Sequence, residues 1–162
     1  MGKPNFRIGY GYDVHQLKEG REFWLGGIKL DYHLGADGHS DADVLLHAIC
    51  DAILGAANLK DIGYHFPNTS DEFDGIDSKI LLTRTMDLIR EKGYEVGNID
   101  ATLCLEKPKI NPHVDAMRKA IAAASGIEEE DISIKATTKE KLGFVGEEKG
   151  VEAHATALIY KD

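Results

Sequence analysis

Apolar residues recur along the chain with two periods. From Asp43 to about Asn58, Val44, Ala48, Ile49, Ala52, Ile53 and Ala56 repeat at helical spacing and predict a helix with one apolar stripe. Ser40 or Asp41 stands where the N-cap of that helix belongs. A second helix is predicted over Ser78–Lys92, with Leu82, Met86 and Ile89 on one face and Gly93 as its left-handed stop. A third runs from His113 to Ser125 along Val114, Met117, Ile121 and Ala124, starting after Pro112 and ending at Gly126. Alternation with period two predicts strands over Ile99–Leu105 and Ile132–Ala136, and Val151–Tyr160 is a further β-rich run. Phe6–His15 and Phe23–Leu30 read as strands near the N-terminus. The expected order, βββ-α-α-β-α-β-β, implies an α+β fold: a mixed β-sheet with helices on one face. The uncovered face then needs a partner, and a second copy of the chain is the simplest one.

Length and composition narrow the class. The chain has 162 residues, 43% hydrophobic and 29% charged, ordinary for one soluble domain, read here as residues 1–162. There is no repeat, low-complexity tract or linker, and the acidic run Glu128–Asp131 reads as a solvated turn before a strand. No apolar window approaches the ~18 residues of a membrane span, and the N-terminus lacks the apolar core of a signal peptide. Phe6 stands where a myristoylation motif needs Ser or Thr. Two cysteines, Cys50 and Cys104, are too few for a disulfide framework and fit a reduced, cytoplasmic setting. A formal charge of −9 argues against nucleic-acid binding and means that an anionic ligand needs local cations.

Candidate chemistry gathers in the N-terminal third. Asp13 and His15 are two apart on a predicted strand and project to one face. Asp43, His47 and Asp51 form a polar row on the following helix. Two imidazoles and a carboxylate can hold zinc with a fourth position open, and Asp43 or Asp51 could fix the histidine tautomers. Spacing alone fits a salt-bridged surface cluster equally well. The run Gly9-Tyr-Gly11 is not a dinucleotide fingerprint, because the third glycine and the following helix are missing. Ser40 beside His39 reads as a cap or ligand contact rather than a nucleophile. Further on, Thr137-Thr-Lys-Glu-Lys-Leu-Gly-Phe144 leaves the end of a strand with hydroxyls, lysines and a carboxylate, and Lys107-Pro-Lys109 adds positive charge. Such a loop can hold a phosphorylated ligand, with Glu140 on a magnesium ion, or can be an ordinary hydrophilic loop.

Taken together, several segments resemble the 2-C-methyl-D-erythritol 2,4-cyclodiphosphate synthase family of the non-mevalonate isoprenoid pathway. They are Gly11-Tyr-Asp-Val-His15, Gly26-Gly27, His39-Ser-Asp-Ala-Asp-Val-Leu-Leu-His47, Asp61-Ile-Gly63, Phe66-Pro67, Pro108-Lys109 and Lys135-Ala-Thr-Thr-Lys-Glu-Lys-Leu-Gly-Phe144, in order from Arg7 to the C-terminus. The resemblance implies a cytoplasmic homotrimer with its sheets packed around a threefold axis and active sites between subunits. It implies a cytidine diphosphate substrate whose 2-phosphate attacks the β-phosphorus, so that CMP leaves and a cyclic diphosphate forms. Asp13, His15 and His47 match zinc ligands, and Glu140 matches the ligand of a magnesium or manganese ion bridging the diphosphate. His39 and Thr138 match residues that hold the phosphates in the transition state. Ser40, Asp61, Ile62, Gly63 and the Phe66, Pro67, Asn68, Thr69, Ser70 segment match the surroundings of the methylerythritol moiety. Leu105, Pro108, Lys109, Ile110, Asn111, Thr137 and Thr138 match the pocket that an adjacent subunit supplies to the cytidine diphosphate, with Lys139 and Phe144 beside it.

This expectation agrees with elementary chemistry. Phosphoryl transfer needs in-line positioning and charge neutralisation more than covalent help, and a phosphate is already an anionic nucleophile. The chain departs from the family pattern at Asn68 and Ser70, where many relatives have Asp, and at Ile110 and Asn111, where the loop is usually more apolar. Glu147 replaces an arginine that some relatives place at the mouth of the central cavity, which disfavours an anionic isoprenoid there. A zinc hydrolase with a metal-bound water and a non-catalytic trimeric sensor use the same ligands. Product identity separates the first from a cyclising enzyme, and turnover with CMP release separates the second.

Overall fold

The computed structural model describes residues 2–162. A long strand, β1 (Phe6–Glu19), is followed by short strands β2 (Phe23–Leu25), β3 (Ile28–Leu30) and β4 (Leu34–Asp37). Helices α1 (Val44–Ala56), α2 (Ile62–His65) and α3 (Ser78–Glu91) come next. Then follow β5 (Glu95–Cys104), α4 (Val114–Ser125), β6 (Ile132–Thr137), the single turn α5 (Gly143–Gly146) and β7 (Gly150–Tyr160). One five-stranded sheet has the order β4-β1-β7-β5-β6, and β2 pairs only with β3. β5 and β6 run parallel and the other neighbours antiparallel, so the sheet is mixed, as expected.

Four strands precede α1 where three were expected. Phe23–Leu30 is a hairpin rather than one strand, because Gly26 and Gly27 take φ of 62° and 80° and reverse the chain in two residues. β1 runs past His15 to pair with β4, a strand of four residues that is too short to show alternation. The cap of α1 also differs from the expectation. Asp43 rather than Ser40 or Asp41 caps it, accepting from Leu46 N at 3.0 Å. The same buried carboxylate accepts from Gly26 N at 2.9 Å and Gly27 N at 2.7 Å, tying the hairpin to the helix.

α1 is buried on every side rather than along one stripe: Leu45, Leu46, Cys50 and Leu54 are as inaccessible as Ile49 and Ile53. It lies on β1 and β7, whose small inward residues Ala153, Ala155 and Ala157 leave it room, and Leu82 and Met86 of α3 join the same core. α3 and α4 end at Gly93 and Gly126 in left-handed conformations, as expected. The far side of the sheet is uncovered. Ile8, Tyr10, Tyr12 and Val14 of β1 are 76, 60, 42 and 40% exposed.

Candidate active site

The centre of the site follows from alternation along β1. Gly9, Gly11, Asp13 and His15 share its inward face. A Cβ on Gly9 would come within 1.9 Å of Ala52 O, and one on Gly11 within 1.9 Å of Ala48 O. Glycine at both positions lets α1 approach the strand backbone, and the first turn of the helix then delivers His47 opposite Asp13 and His15. Asp13 Oδ2 lies 2.9 Å from His15 Nε2 and 3.1 Å from His47 Nδ1, and the two ring nitrogens are 3.3 Å apart. Tetrahedral ligands on bonds of about 2.0 Å are separated by roughly 3.3 Å, so the spacing fits a divalent ion with an open fourth position.

The donor set fits as well. His15 Nδ1 donates to the Asp37 carbonyl at 2.9 Å, so the neutral ring has its Nε2 lone pair free for an ion. Burial would raise the Asp13 carboxyl, but hydrogen bonds from His15 and His47 and their positive charge outweigh it and hold it at about 2. Burial would lower His15, yet its bond to Asp13 and that residue's charge leave it raised. Without an ion the Asp13 carboxylate shares protons with the two rings, and a divalent ion binding there takes their place. Asp43 and Asp51 do not orient these histidines, contrary to expectation. Asp43 is committed to the backbone bonds above, and Asp51 accepts from Ile62 N at 2.8 Å.

Around the cluster a cavity of about 280 Å³ is lined by Asp13, His15, His39, Ser40, His47, Ile62, Gly63, Phe66, Asn68, Phe73, Ile76 and Leu81. One end is polar and the other apolar. His39 is held by the segment it faces, with Nε2 3.2 Å from the Ser70 carbonyl and its own carbonyl accepting from Gly75 N at 2.8 Å. Asp61 and Ser70 act locally as caps, accepting from Tyr64 N at 2.9 Å and Glu72 N at 3.3 Å, and do not line the cavity. Pro67 and Thr69 flank it without lining it. Phe73, Ile76 and Leu81 are wall residues that sequence reasoning missed. The first two sit in an irregular segment with no period to reveal an inward side.

A second cavity, of about 400 Å³, opens where the parallel strands β5 and β6 end, the usual place for a ligand crevice in such sheets. Leu105, Glu106, Pro108, Lys109, Ile110, Asn111, Pro112, Ala136, Thr137 and Thr138 line it, joining both sequence-predicted substrate segments. Glu106 organises its rim by accepting from Lys139 N at 2.7 Å and Lys141 N at 3.3 Å. Lys139, Glu140 and Phe144 line neither cavity, and every residue from Lys135 to Phe144 is exposed. The two cavities share no lining residue within the chain.

A mixed sheet with a His₂Asp cluster that could hold a metal, set between its first strand and first helix, defines the class of α+β enzyme, and comparison with known proteins gives the family. Residues 6–160 match the model of the YgbB family, and the chain belongs to that family. It is 64% identical over 156 residues to the 2-C-methyl-D-erythritol 2,4-cyclodiphosphate synthase of Bacteroides thetaiotaomicron, covering 96% of this chain and 98% of that protein. It is 64% identical over 155 residues to the synthase of Cytophaga hutchinsonii, covering 96% and 98%. Among solved structures, it resembles the bifunctional IspDF of Campylobacter jejuni with a TM-score of 0.93 at 39% identity, over 97% of this chain and 42% of that longer one. It resembles the CDP complex of Plasmodium falciparum IspF with a TM-score of 0.87 at 37% identity, over 99% of this chain and 100% of the other.

Proposed function

We propose that the chain converts 4-diphosphocytidyl-2-C-methyl-D-erythritol 2-phosphate to 2-C-methyl-D-erythritol 2,4-cyclodiphosphate. The 2-phosphate oxygen attacks the β-phosphorus, the bond from that phosphorus to the bridging oxygen breaks, and CMP leaves. One observation carries this reading: the Asp13–His15–His47 focus stands at the polar end of a cavity with an apolar far wall, in a chain of this family. The polar end suits phosphate, and Ile62, Phe66, Phe73, Ile76 and Leu81 suit the methylated carbon skeleton.

The nucleophile needs no general base, so the work is approach and charge neutralisation. With a formal charge of −9 the protein as a whole opposes a polyanionic substrate. Divalent ions, when bound, supply Lewis-acid neutralisation of the reacting phosphates. Asp13, His15 and His47 would hold zinc, and Glu140 would hold magnesium or manganese with the substrate diphosphate. His39 and Thr138 are assigned to the phosphates, and the cavity beyond β5 and β6 to the cytidine diphosphate. The CDP complex of the Plasmodium relative supports a cytidine diphosphate ligand.

Assembly completes the site in this reading. The metal-ligand cavity and the nucleotide cavity are separate in one chain, and β1 leaves a row of large apolar side chains uncovered. A homotrimer packed through that sheet face, with the exposed 135–144 segment of one subunit completing the site of the next, accounts for both. No helix among the described residues is long and apolar enough to cross a membrane. A cytoplasmic enzyme with neither membrane nor nucleic-acid partner fits this and the charge.

The test is incubation with the cytidine diphosphate substrate, Zn²⁺ and Mg²⁺, followed by phosphorus NMR and sedimentation. The expected result is a cyclic diphosphate with equimolar CMP from a particle of three chains. Free phosphate or a linear product would overturn the cyclisation, and a fully active monomer would overturn the shared site.

A further inference from the structure

His15 and His47 present a nitrogen each to the cluster, but the devices behind them differ. Behind His15 is a backbone carbonyl, which can only accept. Behind His47 is a hydroxyl: Nε2 lies 2.9 Å from Ser78 Oγ, the first residue of α3. A hydroxyl can donate or accept, so it does not by itself decide which ring nitrogen carries the proton.

Asp41 removes the ambiguity. Its carboxylate receives Ser78 Oγ at 2.5 Å, Ser78 N at 2.9 Å and Asp43 N at 3.1 Å. All three groups are donors, two of them backbone N–H groups that cannot reverse. The single hydroxyl proton of Ser78 therefore goes to Asp41, and toward His47 its oxygen presents a lone pair. Without an ion, Asp13 Oδ2 at 3.1 Å competes for a proton on Nδ1 of His47; with an ion on Nδ1 the ring's proton sits on Nε2, and the wholly buried Ser78 oxygen receives it at 2.9 Å. Ser40 Oγ accepts from Ala42 N at 3.1 Å and lies farther from the same Nε2, at 3.2 Å.

From this geometry we infer that Ser78, held by Asp41, is a positioning residue: it receives the His47 proton on Nε2 and so favours Nδ1 as the atom that binds the metal. The chain of donors runs from His47 Nε2–H to Ser78 Oγ and from Ser78 O–H to the Asp41 carboxylate, with no proton moved. The inference rests on the metal reading of Asp13, His15 and His47, and it gives the loop before α1 a task in the site that spacing did not reveal. Partners of this kind behind metal-binding histidines change metal affinity by about 10- to 100-fold.

The experiment needs no substrate. Histidine-¹⁵N-labelled protein is loaded with Zn²⁺, and the nitrogen spectrum is expected to show His47 bound through Nδ1 with its proton on Nε2. Zn²⁺ affinity is then measured by chelator competition for the wild type, Ser78→Ala and Ser78→Thr. Ser78→Ala should weaken Zn²⁺ by about 10- to 100-fold, while Ser78→Thr, which keeps the hydroxyl, returns toward wild type. A wild-type His47 bound through Nε2 with its proton on Nδ1 would overturn the inference without recourse to any variant. So would wild-type Zn²⁺ affinity in Ser78→Ala. A wild-type chain with no Zn²⁺ affinity would instead overturn the metal reading on which it stands.

Discussion

The two cavities are built by opposite means. The one around Asp13, His15 and His47 is assembled from a central strand and a helix buried along most of its length, so its donor atoms hold their separations of 2.9–3.3 Å without any ligand. The one beyond β5 and β6 is rimmed by exposed residues, and the charged Lys139 and Glu140 of the adjoining loop reach neither cavity. A preorganised focus that can repel or attract charge strongly must be locked by packing, because misplacement by about 1 Å is costly. In the proposed assembly the second surface meets another chain, and it is open in the single chain.

Packing gives the first way to break the contrast. Gly11→Val should be the most damaging single change, since even a Cβ there meets Ala48 O at 1.9 Å and Ala52 N at 2.7 Å, both backbone atoms of α1. We expect a loss of about 3 kcal/mol or more, read as a fall in the denaturant midpoint, together with loss of Zn²⁺ binding. Lys109→Ala, on the exposed rim of the other cavity, should stay within about 0.5 kcal/mol of wild type. Equal stabilities would mean that α1 is free to retreat from β1.

His47→Ala attacks the focus itself. Only Asp13 and His15 would remain, too few to retain zinc tightly. The rest of α1 keeps its apolar surroundings, so the variant should fold with native circular dichroism and lose its zinc. Elemental analysis that finds wild-type zinc in the folded variant would show that the ion sits elsewhere.

Much of this region was legible in the sequence, and for a stated reason. Asp13 and His15 obey the period of a strand, and His47 that of a helix whose apolar residues run over Val44 to Ala56. What escaped was the purpose of Gly9 and Gly11, two steps ahead of the ligands on the same face: they are where the helix touches the strand. The roles of Asp43 and Asp51 were misread because helical spacing shows which side a carboxylate is on, not which backbone N–H has claimed it. The union of residues 105–112 with 136–138 depends on β5 pairing in parallel with β6, a long-range contact that no local period encodes. Phe73 and Ile76 lie in an irregular segment and left no pattern at all. The zinc assignment, the substrate and the roles proposed for His39 and Thr138 rest on resemblance and not on spacing.

Glu140→Gln tests whether the exposed loop has chemistry. The substitution keeps size and hydrogen bonding and removes the charge that attracts a magnesium ion. If Glu140 holds the ion at the diphosphate, CMP departs with less of its charge neutralised, and turnover should fall by ~10²-fold or more. Zinc content and particle mass should be unchanged, because Glu140 is exposed and lies outside the metal-ligand cavity. CMP release at saturating magnesium, beside a zinc assay on the same preparation, decides it. Near-normal turnover would return the loop to an ordinary solvated role.

The smallest effect compares the regions through their thiols. Cys50 lies within α1, where burial pushes its thiol up to about 12. Cys104 ends β5 beside the open cavity, and its thiol is raised mainly by burial, against which the charge of Lys139 works. A thiolate-selective reagent should therefore label Cys104 first, and Cys50 only as the protein unfolds. The sign of the pH effect follows from the direction of the shift. A thiol whose folded value lies above its unfolded value of about 8.5 stabilises the fold fully below that pH. As pH rises from there toward 12, the unfolded chain ionises Cys50 while the folded chain does not, and the folded state loses up to about 1.4 kcal/mol per pH unit. Denaturant melts at pH 8 and pH 10 of the wild type and Cys50→Ala measure this, with the variant expected to show the shallower decline. If the two decline in parallel and Cys50 labels as fast as Cys104 in the native state, α1 opens to solvent as readily as the loop does, and the contrast between a locked cavity and an open one fails.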